Sequence, residues 1–210
     1  MDNYIDENIF IRSLASRGSK GGLSNNIDDI VNVLEFCGFD IILLETVGVG
    51  QIEVDVVEIA ETVVLILVPE SGDDIQIMKA GLIEIADIFV INKSDREESD
   101  KIHLAIDNML KISQLDDWYP KIVKTIAINN IGLDELIKEI HNHFQYLGES
   151  NQINVKIDKR YKRNIKRSLK YDFEEKFWTN KRIKYLEKEM QKNISTRKNI
   201  HEIIKLLKQL

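Results

Sequence analysis

The residues best equipped for chemistry in this chain stand where aliphatic runs stop. One run, Ala86-Asp87-Ile88-Phe89-Val90-Ile91, breaks into Asn92-Lys93-Ser94-Asp95. The Asp95 carboxylate can accept two parallel hydrogen bonds, a pairing that guanine offers through N1–H and its 2-amino group. Asn92 can bond the base edge, and Lys93 can lay its aliphatic stem over the ring. Adenine would leave those groups unpaired, at about 1–3 kcal/mol for each orphan. An earlier run, Phe39-Asp40-Ile41-Ile42-Leu43-Leu44, breaks in the same way into Glu45-Thr46-Val47-Gly48-Val49-Gly50-Gln51.

Both runs have the length and β-branched content of buried strands. In open parallel sheets ligands sit just beyond the carboxyl ends of the strands, which is where both polar motifs fall. A third strand, Thr62–Val68, is expected between them and leads into the polar loop Pro69-Glu70-Ser71-Gly72-Asp73-Asp74. A tetrapeptide such as Asn-Lys-x-Asp can also be a plain solvated turn. The reading rests on the order of the two motifs, their spacing and the strand before each.

Taken together, the motifs resemble the GTP-binding half of a P-loop GTPase. Glu45-Thr46-Val47-Gly48 is similar to the Asp-x-x-Gly motif of that class, with Glu in place of Asp. The resemblance implies that Glu45 holds Mg²⁺ through water and that the Gly48 N–H meets the γ-phosphate, a close approach that glycine tolerates. Three stretches narrow it further: Phe10 through Leu23, Glu45 through Gln51, and Pro69 through Asp95. They resemble the ArgK/MeaB family of G-proteins, also called LAO/AO transport ATPases, whose members act as chaperones for the adenosylcobalamin-dependent methylmalonyl-CoA mutase. The likeness is strong over residues 8–147 and weak in the C-terminal helices. It implies GTP or GDP with Mg²⁺ as ligands, the mutase as partner, and a homodimer formed through a C-terminal helical arm. It also places Lys79 in a stretch matching a mobile switch. Thr125-Ile126-Ala127-Ile128 stands where the family has Thr-Ser-Ala-Leu, whose Ala N–H bonds the guanine carbonyl. Ala127 is kept there, while Ile126 replaces the Ser.

Length and charge set the frame. The chain has 210 residues, 43% of them hydrophobic, which suffices for a sizeable core. Residues 1–150 hold 28 Asp and Glu against 11 Lys and Arg, a net of −17, whereas residues 151–210 hold 7 against 18, a net of +11. This division predicts two parts: a G-domain fragment over 1–148 and a helical arm over 149–210. The basic arm is read as a solvated complement to the acidic body rather than as a nucleic-acid site. A single cysteine, Cys37, excludes a disulfide framework and suits a reducing cytoplasm. It is expected to be a buried thiol on a helix. No apolar run long enough to span a membrane is present, and residues 1–8 do not resemble a signal peptide.

In chain order, a short strand is expected at 9–12, then the loop Arg17-Gly18-Ser19-Lys20-Gly21-Gly22. That loop can form an anion nest or simply enter a helix capped by Ser24 or Asn25. A helix over 25–37 should stop at Gly38. Asp73 and Asp74 suit either a switch loop or a helix N-cap. Helices are expected near 96–118 and 133–147, separated by a strand at 122–128. After linker-like residues 148–156, helices should span about 159–192 and 197–209.

No Gly-x-x-x-x-Gly-Lys-Ser/Thr phosphate loop occurs in the 210 residues. The resembled family places that motif upstream of the stretch beginning near Asn8, so the chain reads as N-terminally truncated. The fold expected is thus α/β: a P-loop NTPase-type parallel sheet, incomplete at the phosphate-loop strand, with a C-terminal helical extension. Val49 follows Gly48 where small GTPases carry a water-positioning Gln, and no catalytic residue is assigned. Two functions remain in view: the GTP-binding part of a mutase chaperone, inactive alone, or a non-catalytic interaction module that keeps the arm.

Overall fold

The computed structural model describes residues 8–14, 27–46, 58–69, 85–113 and 118–210. Gly48, Lys79, the Gly18–Gly22 loop and the Asp73–Asp74 loop lie outside these residues. Contacts divide the chain into two compact units, Met1–Arg160 and Tyr161–Leu210.

The first unit is built on three strands, β1 (Val64–Leu67), β2 (Ile88–Asn92) and β3 (Lys121–Thr125). They pair in parallel in the order β1-β2-β3, with Val64 opposite Ile88, and Ile88 opposite Lys121. A parallel pair needs a crossover, and β2 and β3 are bridged by α2 (Ser99–Ile112), after α1 (Ile27–Phe36); α3 (Leu133–Glu149) follows β3. The strand period of two sorts side chains between the faces. Leu67, Phe89 and Ile91 meet Ile102, Ile106 and Leu110 of α2. Ile88, Val90 and Val123 meet Leu136 and Ile140 of α3. β2 is therefore buried on both sides, and this explains why its apolar run is unbroken. Each such side chain contributes about 1.5–3 kcal/mol on burial.

Two expected strands do not form. Ile41–Thr46 joins no ladder among the described residues. Its exposure alternates: Ile42 and Leu44 pack with Ile27, Val31 and Ile59, while Ile41 and Leu43 face outward. Packing with α1 and Ile59 therefore takes one face of this run, and no described strand pairs with its backbone. Ile9–Arg12 is likewise unpaired and exposed.

The helix before that run ends as expected. Gly38 sits at φ 85°, with Gly38 N bonding Glu35 O at 3.0 Å and Phe39 N bonding Leu34 O at 3.2 Å. This left-handed cap places Cys37 outside the helix, where its thiol is exposed rather than buried.

At the N-terminal ends of the strands a closed polar cluster joins α3 to the sheet. His143 is 1% exposed. Its Nε2 lies 3.3 Å from Asp87 Oδ1, and its Nδ1 lies 2.9 Å from Thr62 Oγ1. The other Asp87 oxygen accepts from Val63 N at 2.7 Å, and Trp118 Nε1 donates to the Asp87 carbonyl at 2.9 Å. Because a carboxylate only accepts, Nε2 carries the proton and Nδ1 accepts from the Thr62 hydroxyl. Burial pushes the His143 pKa down, against the opposing pull of Asp87, so the ring is neutral.

After Glu149 only Ser150 and Asn151 interrupt the helices, so the linker-like composition of 148–156 is mostly helical. The helix α4 (Gln152–Phe177) begins there. Within the first unit, Arg160 bonds Glu35 at 2.8 Å and Glu61 at 3.4 Å.

In the second unit the single helix expected to reach residue 192 is broken at Trp178 and Thr179. Thr179 caps a new helix, α5 (Asn180–Met190), and Asn199 caps α6 (Ile200–Gln209). Arg182 holds the break. Its guanidinium lies 4.4 Å over the Phe177 ring and donates to the carbonyls of Phe177 at 2.8 Å and Leu207 at 2.7 Å. Glu189 is buried, accepting from Lys192 Nζ at 2.6 Å and Lys198 N at 2.9 Å; those bonds hold its carboxyl below the usual range.

Candidate base-binding cleft

The cleft lies at the carboxyl ends of β2 and β3. Its volume is about 270 Å³, and it is lined by Asn92, Lys93, Asp95, Arg96, Ile126, Ala127, Ile128 and Asn129. Four of the residues expected to read a base, Asn92, Lys93, Asp95 and Ala127, therefore come together from segments more than thirty positions apart.

Two turns shape it. Asn92 ends β2, and Lys93 adopts φ 55°, a left-handed conformation that a lysine rarely takes. Ser94 N then bonds Thr125 O at 3.1 Å, and Ser99 Oγ donates to Ser94 O at 2.9 Å. These bonds hold the loop over the start of α2, so Asp95 projects from a fixed backbone. Its carboxylate is exposed and takes no hydrogen bond from another described residue, leaving an acceptor pair open to a ligand.

The second turn follows β3. Ile126 and Ile131 pair across it, Ala127–Asn129 form one 3₁₀ turn, and Asn130 sits at φ 56°. Gly132 at φ 77° lets the chain pass under β3; a Cβ there would stand 2.1 Å from the Lys124 carbonyl oxygen. No other residue fits that position without moving the turn. Asp134 and Glu135 occupy the first turn of α3, favourable for its dipole.

The two turns are stitched together by Asn92. Its Oδ1 accepts from Thr125 Oγ1 at 3.2 Å and from Ala127 N at 3.1 Å. The Ala127 N–H is therefore engaged within the protein, and a base carbonyl placed there would share it. Sequence reasoning did not single out Thr125. The sequence placed it only within the Thr125–Ile128 segment, and its pairing opposite Asn92 appears in the register of β2 and β3. Ile128, 91% exposed at the rim, offers an apolar surface beside the cleft. Chemically the site can accept a paired N–H donor edge at Asp95 and cover a flat ring with the Lys93 stem.

Glu45 is exposed near the end of the Ile41–Thr46 run, which pairs with no described strand. A lone carboxylate can hold Mg²⁺ only through water or together with ligands from elsewhere. No group of three or more His, Cys, Asp or Glu able to hold a metal occurs among the described residues. No helix among them is long and apolar enough to cross a membrane.

The sheet and helices match the crystal structure of a LAO/AO transport system kinase with a TM-score of 0.62, over 87% of this chain and 60% of that one, at 21% identity. That likeness concerns the fold. In sequence, a Pyrococcus abyssi protein named as a GTPase is 47% identical over 165 residues, 77% of this chain and 51% of the relative. GTPase ArgK of Escherichia coli is 34% identical over 135 residues, 62% of this chain and 41% of the relative. A Caenorhabditis elegans methylmalonic aciduria type A homolog is 26% identical over 194 residues, 90% of this chain and 49% of the relative. The chain thus spans about half the length of the curated relatives it matches. The family model of the methylmalonyl Co-A mutase-associated GTPase MeaB matches residues 1–182. With most of its length inside that match, the chain belongs to the MeaB family of GTPases.

Proposed function

We propose that this chain is the guanine-reading part of a cytoplasmic GTP-dependent chaperone for the adenosylcobalamin-dependent methylmalonyl-CoA mutase, and that it hydrolyses GTP poorly or not at all by itself. The observation that carries the reading is the cleft at the ends of β2 and β3, where Asp95 presents an open carboxylate beside Asn92 and Lys93. Family membership supports the nucleotide and the partner. Residues 1–148 serve as the G-domain part, and 149–210 as an arm for homodimerisation. The exposed Tyr161, Leu169, Tyr171 and Phe173 give that arm an apolar surface suited to a partner.

Asn92, Lys93, Asp95 and the Ala127 turn hold the base, Gly48 and Lys79 approach the phosphates, and Glu45 holds Mg²⁺ through water. Mg²⁺, when bound, neutralises charge on the phosphate oxygens. Most nucleotide affinity in this class comes from backbone N–H groups and a lysine around the phosphates, and no phosphate-loop motif occurs in the 210 residues. Each missing transition-state donor costs on the order of 10²–10³ in rate, so weak guanine binding without turnover is expected.

Titration of the purified chain with GDP and ADP, alongside a Mg²⁺-dependent GTP turnover assay, tests this. The expected result is weak, guanine-selective binding and turnover equal to buffer. Equal affinity for ADP would remove the guanine reading. Turnover that Glu45→Ala abolishes would overturn the claim of inactivity and assign the Gly18–Gly22 loop to the phosphates.

A further inference from the structure

We propose that the tip of the α5–α6 hairpin, residues Met190–Ile200, is a docking surface for anionic lipid headgroups, seating the chain on a charged membrane face without crossing it. The inference rests on no part of the guanine reading. The family match covers residues 1–182, and the tip lies beyond it.

The hairpin is tied at both ends. At its open end, Arg182 Nε donates to the Leu207 carbonyl at 2.7 Å. At its tip the buried Glu189 accepts from Lys198 N at 2.9 Å, which brings the end of α5 against the start of α6. Arg197 closes the turn, donating to the carbonyls of Lys192 at 3.1 Å and Met190 at 2.6 Å. Backbone and polar groups therefore hold this segment in shape. None of these bonds uses an apolar side chain, and Met190, Ile194 and Ile200 are left 60%, 79% and 77% exposed. Large apolar side chains gathered at one held tip and rimmed by polar groups mark a protein or membrane contact.

Charge selects between those occupants. From Met190 to His201 the sequence holds three cations, Lys192, Arg197 and Lys198, and no Asp or Glu. Glu189 offsets Lys192, 2.6 Å away, so three cations against one anion leave the tip net positive. Aliphatic side chains ringed by cations match a lipid interface, where acyl chains take the apolar groups and anionic headgroups take the charges. Protein interface cores are instead depleted of lysine. Single-stranded nucleic acid is held by stacking on aromatic rings, and the exposed apolar side chains of the tip are aliphatic.

The test co-sediments the full 210-residue chain with vesicles of equal parts phosphatidylcholine and phosphatidylglycerol, and with vesicles of phosphatidylcholine alone. Wild type should pellet with the anionic vesicles, release as salt is raised, and stay in solution with the neutral ones. Ile194→Ser combined with Ile200→Ser should weaken the partition by roughly tenfold or more, through lost apolar burial. Lys198→Gln removes one cation and keeps the backbone N–H that Glu189 holds, so it should weaken the partition by about fivefold. Circular dichroism checks that each variant keeps its helices; should the double variant not fold, Lys198→Gln and the salt series decide. Wild type that stays in solution with the anionic vesicles overturns the proposal, and so does a partition that neither variant weakens. Binding of a single-stranded oligonucleotide without vesicle binding also overturns it and assigns the cations to nucleic acid. Self-association that the double variant abolishes, again without vesicle binding, overturns it in favour of a second copy of the chain.

Discussion

The two ends of one three-stranded sheet treat their polar groups in opposite ways. At the amino ends, Asp87 has both carboxylate oxygens engaged, by Val63 N and His143 Nε2, and its carbonyl takes Trp118 Nε1. The cluster is closed: His143 is buried, and its ring lies 4.7 Å from that of Trp118. At the carboxyl ends, Asp95 is exposed and its carboxylate is offered to no described neighbour. The difference separates an aspartate matched within the fold from one that is exposed, where residue type alone would not. A buried polar group with every partner supplied by the protein stabilises the fold. A held backbone with an unmatched acceptor at its tip awaits a partner.

The largest effect should come from the closed end. Replacing His143 with Ala removes a fully buried ring and strands Thr62 and Asp87, so we expect a loss of about 3–5 kcal/mol in chemical denaturation. Guanine selectivity of whatever remains folded should be unchanged. A protein losing selectivity but little stability would mean that the two ends are not separable.

Next in size is Gly132→Ala. The added Cβ meets the Lys124 carbonyl at 2.1 Å and the backbone keeps a left-handed φ of 77°. We expect a cost of about 1–3 kcal/mol and a distorted Ala127–Asn129 turn, seen as lower Tm together with weaker GDP binding. This variant couples the open end to stability, as His143→Ala does not couple the closed end to binding.

Asp95→Asn acts on the open end alone. Inverting one donor–acceptor pairing should weaken GDP by roughly 10–100-fold, equivalent to about 1–3 kcal/mol, and shift preference toward xanthosine diphosphate. Tm should not move, because the carboxylate takes no hydrogen bond from another described residue. Unchanged GDP affinity would remove the base-reading role of Asp95.

The same contrast predicts a pH response. His143 has a folded pKa below its ordinary 6.5, caused by burial, so the unfolded chain takes up the proton first. Stability is full above pH 6.5 and falls as the pH drops through 6.5 toward the lower folded value. Thermal melts between pH 8 and 5 should show the decline, and His143→Gln should flatten it. The smallest effect belongs to the surface pair Lys111–Asp107, 2.6 Å apart on α2. Solvent screens it, and Lys111→Ala should leave Tm within error.

Much of this could be read directly from residue order. The unbroken apolar run before Asn92 required a strand buried on both faces, and the periodicities around Ile102 and Ile140 supplied the helices to cover it. Gly38 stopped α1 through a left-handed cap. The clustering of Asn92, Lys93, Asp95 and Ala127 followed from parallel strands ending at one edge of the sheet.

Pairing and partnership were not legible there. Ile41–Thr46 has the composition of a strand, and in the fold its Ile42 and Leu44 pack on α1 instead, because a ladder needs a neighbour that composition does not specify. Cys37 looked like a buried helix residue and lies exposed between the last residue of α1 and the Gly38 cap. Thr179 and Arg182 broke a helix whose propensities favoured continuity, through a side-chain cap and carbonyl contacts formed only after folding. His143, Asp87 and Thr62 are ordinary letters separated by up to 81 positions. Likewise, the orientation of the Asn92 amide depends on Thr125 and Ala127, brought beside it by the register of β2 and β3. Local pattern therefore determined the elements and the sheet edge where the polar motifs gather. Tertiary contact decided which polar groups are already matched, since a hydrogen bond is a property of two positions in space.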